Sequence, residues 1–244
     1  MNAKLLNNLA LVETSDGSAT LFSTEYQQTY HSKHGALNEC EHIYLHASGV
    51  FERLQAGKIT RLLEVGFGTG LNFLVTAALA RKSCTALQYW AIEKNWVPEK
   101  QFAELNYGRH FPKLHDVWSA FSTMQPALLQ ENIARFHFEP NIELTILFGD
   151  ATILDIPLKN FHAVYHDAFS PEANPELWTA DFFQKIKESC EEGAVLSTYS
   201  SKKSVQQALR EAGFVVQKVP GPWGKRDILR ARVEQDLDLV QAHI

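Results

Sequence analysis

Strand-like and helical segments alternate along the chain from Arg61 onward, and this order restricts the fold more than any other feature. Apolar runs typical of buried strands cover residues 61–65, 86–94, 134–150 (two strands around a Pro-Asn turn), 161–169, 194–200, 214–219 and 226–233. Helical patterns cover residues 70–80, 97–133, 175–192, which Gly193 is expected to end, and 201–212. Alternation of this kind predicts a mostly parallel sheet with helices on both faces. Only a loop joins the last two strands, so one strand near the C-terminus is expected to be antiparallel.

The first part of the chain has a different pattern. Two β-prone runs flank Asp16-Gly17, which is a strong signal for a β-hairpin, and a single helix is expected from Gly35 to Val50. No stretch rich in Ser, Gly or Pro divides the chain. We therefore expect a hairpin-and-helix extension, residues 1–58, packed on one compact core unit, residues 59–244.

Composition favours a cytoplasmic protein. The 244 residues are 45% hydrophobic and carry a formal net charge of −5, which argues mildly against nonspecific coating of nucleic acid. Three widely spaced cysteines suggest free thiols in a reducing compartment: Cys40, Cys84 and Cys190. The N-terminal apolar run is too short for a signal peptide and no stretch is long enough to cross a bilayer, so no membrane association is expected.

A glycine-rich turn directly follows the first core strand. In "LLEVGFGTGLNFL" the spacing is Glu64-x-Gly66-x-Gly68-x-Gly70, and Leu71 stands where a dinucleotide fingerprint requires its last glycine. Taken alone, the turn is also explained by a tight connection between a strand and a helix. Acids at three further strand ends strengthen a ligand-binding interpretation: Glu93, Asp150 and Asp167.

Four carboxylates at one rim of the sheet suit a cationic, adenosine-containing ligand and offer nothing for phosphates. The pattern resembles the class I S-adenosylmethionine-dependent methyltransferases, whose fold is Rossmann-like with a seven-stranded sheet. In that class, an acid such as Glu93 accepts the ribose hydroxyls and one such as Asp150 the adenine amine. The resemblance implies S-adenosylmethionine as cofactor, bound by Tyr30, Glu64, Gly66, Phe67, Gly68, Gly70, Asn72, Glu93, Lys94 and Asp150.

Longer motifs resemble one family within that class. The stretches "YQQTYHSKHGALNECEHIYL", "GFGTGLNFL", "HDAFSPEANPELW" and "GPWGKRDILRA" are similar to the MnmC-type methyltransferases. That family completes 5-methylaminomethyl-2-thiouridine at the wobble position of tRNA. The sequence departs from the family's motifs at Ala168, Ser170, Leu177, Trp223 and Ile228, all small or nearly volume-conserving changes.

The resemblance implies an N-methyltransferase that acts on a primary amine of tRNA. Asp167 is the candidate catalytic residue, which orients an N–H of the acceptor or receives its proton late. Candidate substrate residues are Phe169, Pro171, Asn174, Trp178, Lys225 and Arg226. Eight lysines and arginines but two acids lie between residues 200 and 232, so a basic C-terminal face is expected to contact RNA phosphates.

Several alternatives stay open at this point. The same fold serves methyltransferases of small-molecule amines, and charge swaps at Lys225 and Arg226 would separate the two substrate classes. Two other classes fit the glycine loop less well: a degenerate methyltransferase that binds a partner, and a nicotinamide oxidoreductase. His42 and His46 have metal-ligand spacing without a second pair of ligands, so no metal is expected. Many family members add a flavin-dependent oxidase domain; we expect no flavin here and a separate oxidase as a candidate partner.

Overall fold

The computed structural model describes residues 4–5, 8–124 and 132–234. Its centre is an eight-stranded sheet. The strands of this sheet are β5 (Thr60–Val65), β6 (Leu87–Glu93), β8 (Ile133–Phe138), β9 (Ile142–Phe148), β10 (Phe161–His166), β11 (Cys190–Thr198), β12 (Phe214–Pro220) and β13 (Asp227–Val233). Their order across the sheet is β12-β13-β11-β10-β5-β6-β9-β8.

The sheet confirms the predicted mostly parallel arrangement. Strands β11, β10, β5, β6 and β9 run parallel, and β13 is antiparallel to β11, as expected near the C-terminus. The sheet has eight strands, as many as the strand-like runs of the sequence and one more than the resemblance implied. The additional strand, β8, forms an antiparallel hairpin with β9 at the opposite edge, because the two runs around the Pro-Asn turn both join the main sheet.

Helices cover both faces of the sheet. The helices are α1 (Ala36–Glu39), which continues as a π-helix over Cys40–His46, α2 (Val50–Gln55), α3 (Leu71–Ser83), α4 (Glu99–Leu105), α5 (His115–Ser122), α6 (Ala180–Lys187) and α7 (Lys203–Glu211). Neighbouring residues of β5 separate the two apolar layers: Leu62 packs with α3, and Leu63 packs with α6 and α7. None of the described helices is long and apolar enough to cross a membrane.

Two predicted helices differ from the structure. The helix expected from Gly35 to Val50 forms over residues 36–46, as α1 and its π-helical continuation, and ends early because Gly49 takes a left-handed conformation, φ 81°, before α2 begins. The pattern over residues 175–192 ends earlier, since Cys190 already pairs with Phe161 in the sheet. Gly193 therefore does not end a helix; it lies within β11 beside a register shift, where its φ of 78° fits a β-bulge. Part of the expected helical stretch 97–133, residues 125–131, lies outside the described residues.

The first part of the chain folds over one end of the main sheet. The predicted hairpin is confirmed: β2 (Leu9–Glu13) pairs antiparallel with β3 (Ala19–Ser23), and β3 with β4 (Gln28–Thr29). A short β1 (Lys4–Leu5) pairs with β7 (Asn95–Trp96). Leu21 and Tyr44 belong to the same apolar cluster as Leu62 of β5. The division into units 1–58 and 59–244 stays a prediction.

The chain order of the strands identifies a crevice at the end of β5. The chain passes from β5 to β6 on one side, while β10 lies on the other side. In open α/β sheets, a ligand binds where neighbouring connections diverge, outside the carboxyl ends of the strands. The loop that begins at Gly66 lies at this position.

Candidate active site

A cavity of about 440 Å³ lies above the carboxyl ends of β5, β6, β9 and β10. This volume is in the range of small-molecule sites, roughly 300–1,000 Å³. Of the residues predicted from the sequence, the cavity is lined by Tyr30, Gly66, Phe67, Gly68, Glu93, Lys94, Asp150, Asp167, Phe169, Asn174 and Lys225. The other predicted residues do not line it: Glu64, Gly70, Asn72, Pro171, Trp178 and Arg226.

The glycine loop brings the backbone close to two neighbouring segments. Gly66 has φ 91°, and a Cβ atom there would lie 2.7 Å from the backbone oxygen of Asp167. Gly68 has φ 55°, and its Cβ would lie 2.9 Å from the Tyr30 ring. Both positions combine a left-handed backbone with a contact that leaves no room for a side chain. The loop therefore lets Asp167 and Tyr30 approach the cavity floor together.

Two of the predicted acids lie at the cavity wall in different electrostatic settings. Glu93 accepts hydrogen bonds from the backbone N–H groups of Gly68 (2.7 Å) and Asn95 (2.8 Å), and burial raises its pKa. Asp150 accepts from Lys94 Nζ at 2.9 Å, and this contact lowers the Asp150 pKa to about 2. Asp150 is therefore an ionised, partly neutralised acceptor, whereas Glu93 is held by backbone donors.

A buried hydrogen-bond network lies beneath the cavity floor. Asn72 Nδ2 donates to Glu64 Oε1 and to Asp167 Oδ2, each at 2.8 Å. Tyr89 donates to the other oxygen of Glu64 at 2.7 Å, and Tyr44 donates its hydroxyl hydrogen to Asp167 Oδ1. These donors leave Asp167 in one orientation at the cavity wall, because each of its oxygens is held by a different element.

Both carboxyl groups of this network have pKa values well above the ordinary range. Burial is the main cause for Glu64, and the nearby Asp167 carboxylate adds to it. Burial is also the main cause for Asp167, followed by the charge of Glu39, while the Tyr44 and Asn72 hydrogen bonds oppose the shift. Glu64 has no exposed surface and contacts neutral donors. The arrangement favours a neutral Glu64 that supports Asn72 rather than a second charge at the site.

A Glu64→Gln substitution is expected to weaken the pH dependence of stability. A raised folded-state pKa means that the folded protein binds the proton more tightly than the unfolded chain. Glu64 therefore stabilises the fold at low pH, and that contribution is lost as pH rises towards the folded pKa, by up to about 1.4 kcal/mol per pH unit. Gln keeps the shape, and the Tyr89 hydroxyl can rotate to accept from the new amide.

Urea unfolding of both proteins between pH 5 and pH 9 measures this effect. The free energy of unfolding of the variant, relative to the wild type, is expected to rise with pH. A constant difference across the range would show that Glu64 is ionised in the folded protein.

Lys225 lies inside the cavity rather than on the expected basic face. Its Nζ is 3.4 Å from Glu39 Oε1 and 4.9 Å from the centre of the Tyr199 ring. Glu39 is buried, and its other oxygen accepts the Ser32 N–H at 2.6 Å. Arg226, in contrast, is exposed. The phosphate role predicted for both residues fits the position of Arg226 better than that of Lys225.

Aromatic side chains form one wall of the cavity. Phe169 stacks on Tyr26 with ring centres 4.2 Å apart and meets Tyr30 edge-on at 5.0 Å. Gln28 ties the same wall to the following loop by donating to Ser170 Oγ at 2.7 Å. Trp178 is buried and donates its indole N–H to the Phe169 carbonyl at 2.9 Å. Trp178 therefore supports the wall from behind instead of facing a ligand.

The lining fits the cationic nucleoside that the sequence indicated. Glu93, Asp150 and Asp167 offer carboxylate oxygens for hydroxyl, amine or sulfonium groups. The glycine loop contributes backbone to the lining at Gly66 and Gly68, where no side chain stands between the chain and a ligand. Within residues 8–124 and 132–234, no cluster of three or more His, Cys, Asp or Glu side chains is placed to hold a metal ion. His42 instead contacts the Pro220 carbonyl at 2.9 Å, and His46 packs on Phe51.

The fold and this site define a class I S-adenosylmethionine-dependent methyltransferase. A profile of the S-adenosyl-L-methionine-dependent methyltransferase family matches residues 112–234, just over half of the chain. The chain belongs to this family and is a methyltransferase.

Comparisons with individual proteins describe in more detail what the chain is similar to. The chain is 35% identical over 239 residues to the tRNA 5-methylaminomethyl-2-thiouridine biosynthesis bifunctional protein MnmC of Burkholderia mallei. The match covers 90% of this chain and 34% of that protein, so the chain spans about a third of the curated relatives it matches. The crystal structure of MNMC2 from Aquifex aeolicus superimposes with a TM-score of 0.79 at 28% identity, covering 99% of this chain and 77% of that one. A probable spermidine synthase from Corynebacterium glutamicum shares the fold alone, at 12% identity and TM-score 0.50, over 94% of this chain and 77% of that one.

Some residues at the site have no functional signal in the sequence. The sequence indicates Tyr44 only as an apolar point of a helix, yet its side chain holds Asp167. Tyr26, Glu39 and Tyr44 lie in the family-like stretch over residues 26–45, but only Tyr30 is singled out there, and Tyr199 lies outside the quoted motifs. The signs available are that stretch and the Tyr44 hydroxyl, since a buried tyrosine usually has a hydrogen-bond partner.

Proposed function

We propose that this chain transfers a methyl group from S-adenosylmethionine to the primary amine of 5-aminomethyl-2-thiouridine at the tRNA wobble position. The observation that carries the proposal is Asp167, held by Tyr44 and Asn72 at the wall of the cavity that Glu93, Asp150 and the glycine loop line. The name of the Burkholderia mallei relative refers to biosynthesis of this methylaminomethyl nucleoside in tRNA. The similarity to this relative is the reason for choosing this acceptor, because the geometry alone does not identify it.

Bound S-adenosylmethionine supplies a methyl group that its sulfonium already activates. The acceptor nitrogen must therefore present a neutral lone pair before transfer, and it must lose one proton afterwards. Burial in the cavity disfavours protonation of the amine, because it penalises the charged form. Asp167 accepts a hydrogen bond from the amine N–H and so orients the lone pair. Its raised pKa also suits it to take the proton once the new C–N bond has formed.

We assign the cofactor-binding roles to the positions that line the cavity. Glu93 is proposed for the ribose hydroxyls and Asp150 for the adenine amine, while Tyr30, which packs on Gly68, lies beside the ligand. Glu64, Gly70 and Asn72 act from beneath the cavity floor by shaping the loop and holding Asp167. Phe169 and Asn174 face the acceptor, and Pro171 and Trp178 hold their loop.

The direct test uses purified protein, cofactor with a labelled methyl group, and tRNA bearing 5-aminomethyl-2-thiouridine. Incorporation into the wobble nucleoside, identified after digestion, is the expected result. Folded protein that binds the cofactor but incorporates no label would refute the tRNA assignment and leave the family intact.

Neutralising Arg226 is expected to distinguish tRNA from a small amine as the acceptor. Arg226→Gln should raise KM for tRNA. Loss of the Arg226 charge should also flatten the slope of log KM against log salt concentration by about 0.7, the value for one phosphate contact. Lys218→Gln is a matched control, because Lys218 is on the same hairpin but paired with Asp227 at 2.9 Å. If both variants keep the wild-type KM for tRNA while a free amine is methylated well, the small-molecule alternative is favoured.

A flavin-dependent oxidase, in the same polypeptide or a separate one, is the proposed functional partner. The support is the name of the curated relatives, which describes a bifunctional protein of which this chain matches about a third. Action on tRNA places the proposed reaction in the cytoplasm. We propose that the transfer itself needs neither flavin nor metal.

A further inference from the structure

The turn between β12 and β13 carries a tryptophan that is almost fully exposed. Trp223 has 87% of its surface accessible, although this large side chain is highly buried on average. The surrounding turn is well defined, since Gly221 N–H bonds to the Arg226 carbonyl and Lys225 N–H to the Pro222 carbonyl. The exposure therefore belongs to a structured hairpin end.

This hairpin end lies beside the cavity mouth. A Cβ atom on Gly224 would collide with the His34 ring, so the turn rests directly on the segment that follows Tyr30. Lys33 of that segment and Lys225 of the turn both line the cavity. Trp223 is thus on the side of the cavity that Lys33 and Lys225 line.

Two positively charged side chains, those of Arg226 and Lys33, belong to the same region as the Trp223 indole. Arg226 and Lys33 are exposed, and in the described part of the chain neither side chain forms an ion pair. Three basic residues of the C-terminal segment are paired with acids: Lys202 with Glu172, Lys218 with Asp227 and Lys225 with Glu39. The segment's remaining basic residues, which form no ion pair within the described residues, lie on α7 and β13: Lys203, Arg210, Arg230 and Arg232. Arg226 and Lys33 are therefore the unpaired cations of the hairpin end and of the segment on which it rests.

We propose that Trp223, Arg226 and Lys33 form a stacking platform for the RNA acceptor. A nucleobase adjacent to the modified nucleotide stacks on the indole, and the two cations contact the neighbouring phosphates. Unpaired bases of RNA loops are recognised by aromatic stacking, which tolerates different bases because each has a flat face. The inference rests on the tRNA acceptor proposed above. It adds the residues that bind the RNA loop around the modified nucleotide.

Trp223→Ala is expected to raise KM for tRNA about 5- to 150-fold, which corresponds to the usual loss of one stacked base. The effect should appear in KM rather than kcat, because the platform binds a nucleotide that does not react. Trp223→Phe should recover most of the affinity, since a phenyl ring still stacks. Val215→Ala removes an exposed apolar side chain from the far end of β12 and serves as the matched control.

Measurements with two acceptors separate this inference from the proposed function. Wild-type protein is assayed with aminomethyl-thiouridine tRNA and with the free nucleoside, and Trp223→Ala should raise KM for tRNA relative to that for the nucleoside. Lys33→Ala should flatten the salt dependence of the tRNA KM. Wild-type activity on tRNA with an unchanged KM in Trp223→Ala overturns the platform alone. Wild-type activity on the nucleoside but not on tRNA overturns both proposals.

Discussion

Asp167→Asn is expected to lower kcat by about 10²- to 10⁴-fold, the usual effect of removing a positioned acid or base. The substitution keeps the size of the side chain but removes the charge that orients the amine and accepts its proton. It also places an NH₂ group opposite one of two donors, Tyr44 or Asn72, which disturbs the orientation of the side chain. Steady-state methylation of the amine-bearing tRNA measures kcat, and equilibrium titration shows that cofactor affinity is retained.

Tyr44→Phe tests whether the ionisation of Asp167, and not only the presence of its side chain, limits the rate. The Tyr44 hydrogen bond lowers the pKa of Asp167 against the effect of burial. Without this donor, the Asp167 pKa rises further, so the acid limb of the kcat profile should move to higher pH while the alkaline maximum is retained. An Asp167→Asn enzyme with near wild-type kcat would exclude Asp167 from the chemistry. An unmoved acid limb in Tyr44→Phe would show that ionisation of Asp167 does not limit the rate.

Features that depend on neighbouring residues in the chain could be predicted from sequence. The glycine loop follows its strand directly, and Glu93, Asp150 and Asp167 each close or follow a strand. Parallel pairing then brings all three to the cavity wall. The Asp16-Gly17 hairpin and the antiparallel β13 were predictable for the same reason, since turn residues and short connections restrict local geometry.

Features that depend on contacts between distant segments could not be predicted. The pairing of Lys225 with Glu39, and of Tyr44 with Asp167, requires the N-terminal segment to lie over the sheet, which no local pattern encodes. Tertiary pairing also overrode a helical pattern at Cys190, where the strand bond to Phe161 begins. Glu64 was expected at the rim because it precedes the glycine loop, yet its side chain lies below the cavity, on Tyr89 and Asn72.

The close approach of the glycine loop to Asp167 predicts a second large effect, from Gly66→Ala. Alanine at φ 91° costs about 1–3 kcal/mol of backbone strain. Its Cβ would also lie 2.7 Å from the Asp167 backbone oxygen, so one of the two strand ends must move. Overpacking of this kind typically costs a further 1–3 kcal/mol or so. We therefore expect a loss in the free energy of unfolding that exceeds the strain alone, measured by urea unfolding.

Gly17→Ala separates the two contributions to that loss. Gly17 has a similar φ of 78°, but no atom lies within 4 Å of the position that a Cβ would take, so alanine there adds strain without a collision. The difference between the two variants measures the contact between Gly66 and Asp167. Because that contact positions the Asp167 backbone, Gly66→Ala should also lower kcat about 100-fold, the cost of a misplacement near 1 Å. Equal destabilisation by both substitutions, with kcat unchanged in each, would mean that the loop yields freely and does not position Asp167.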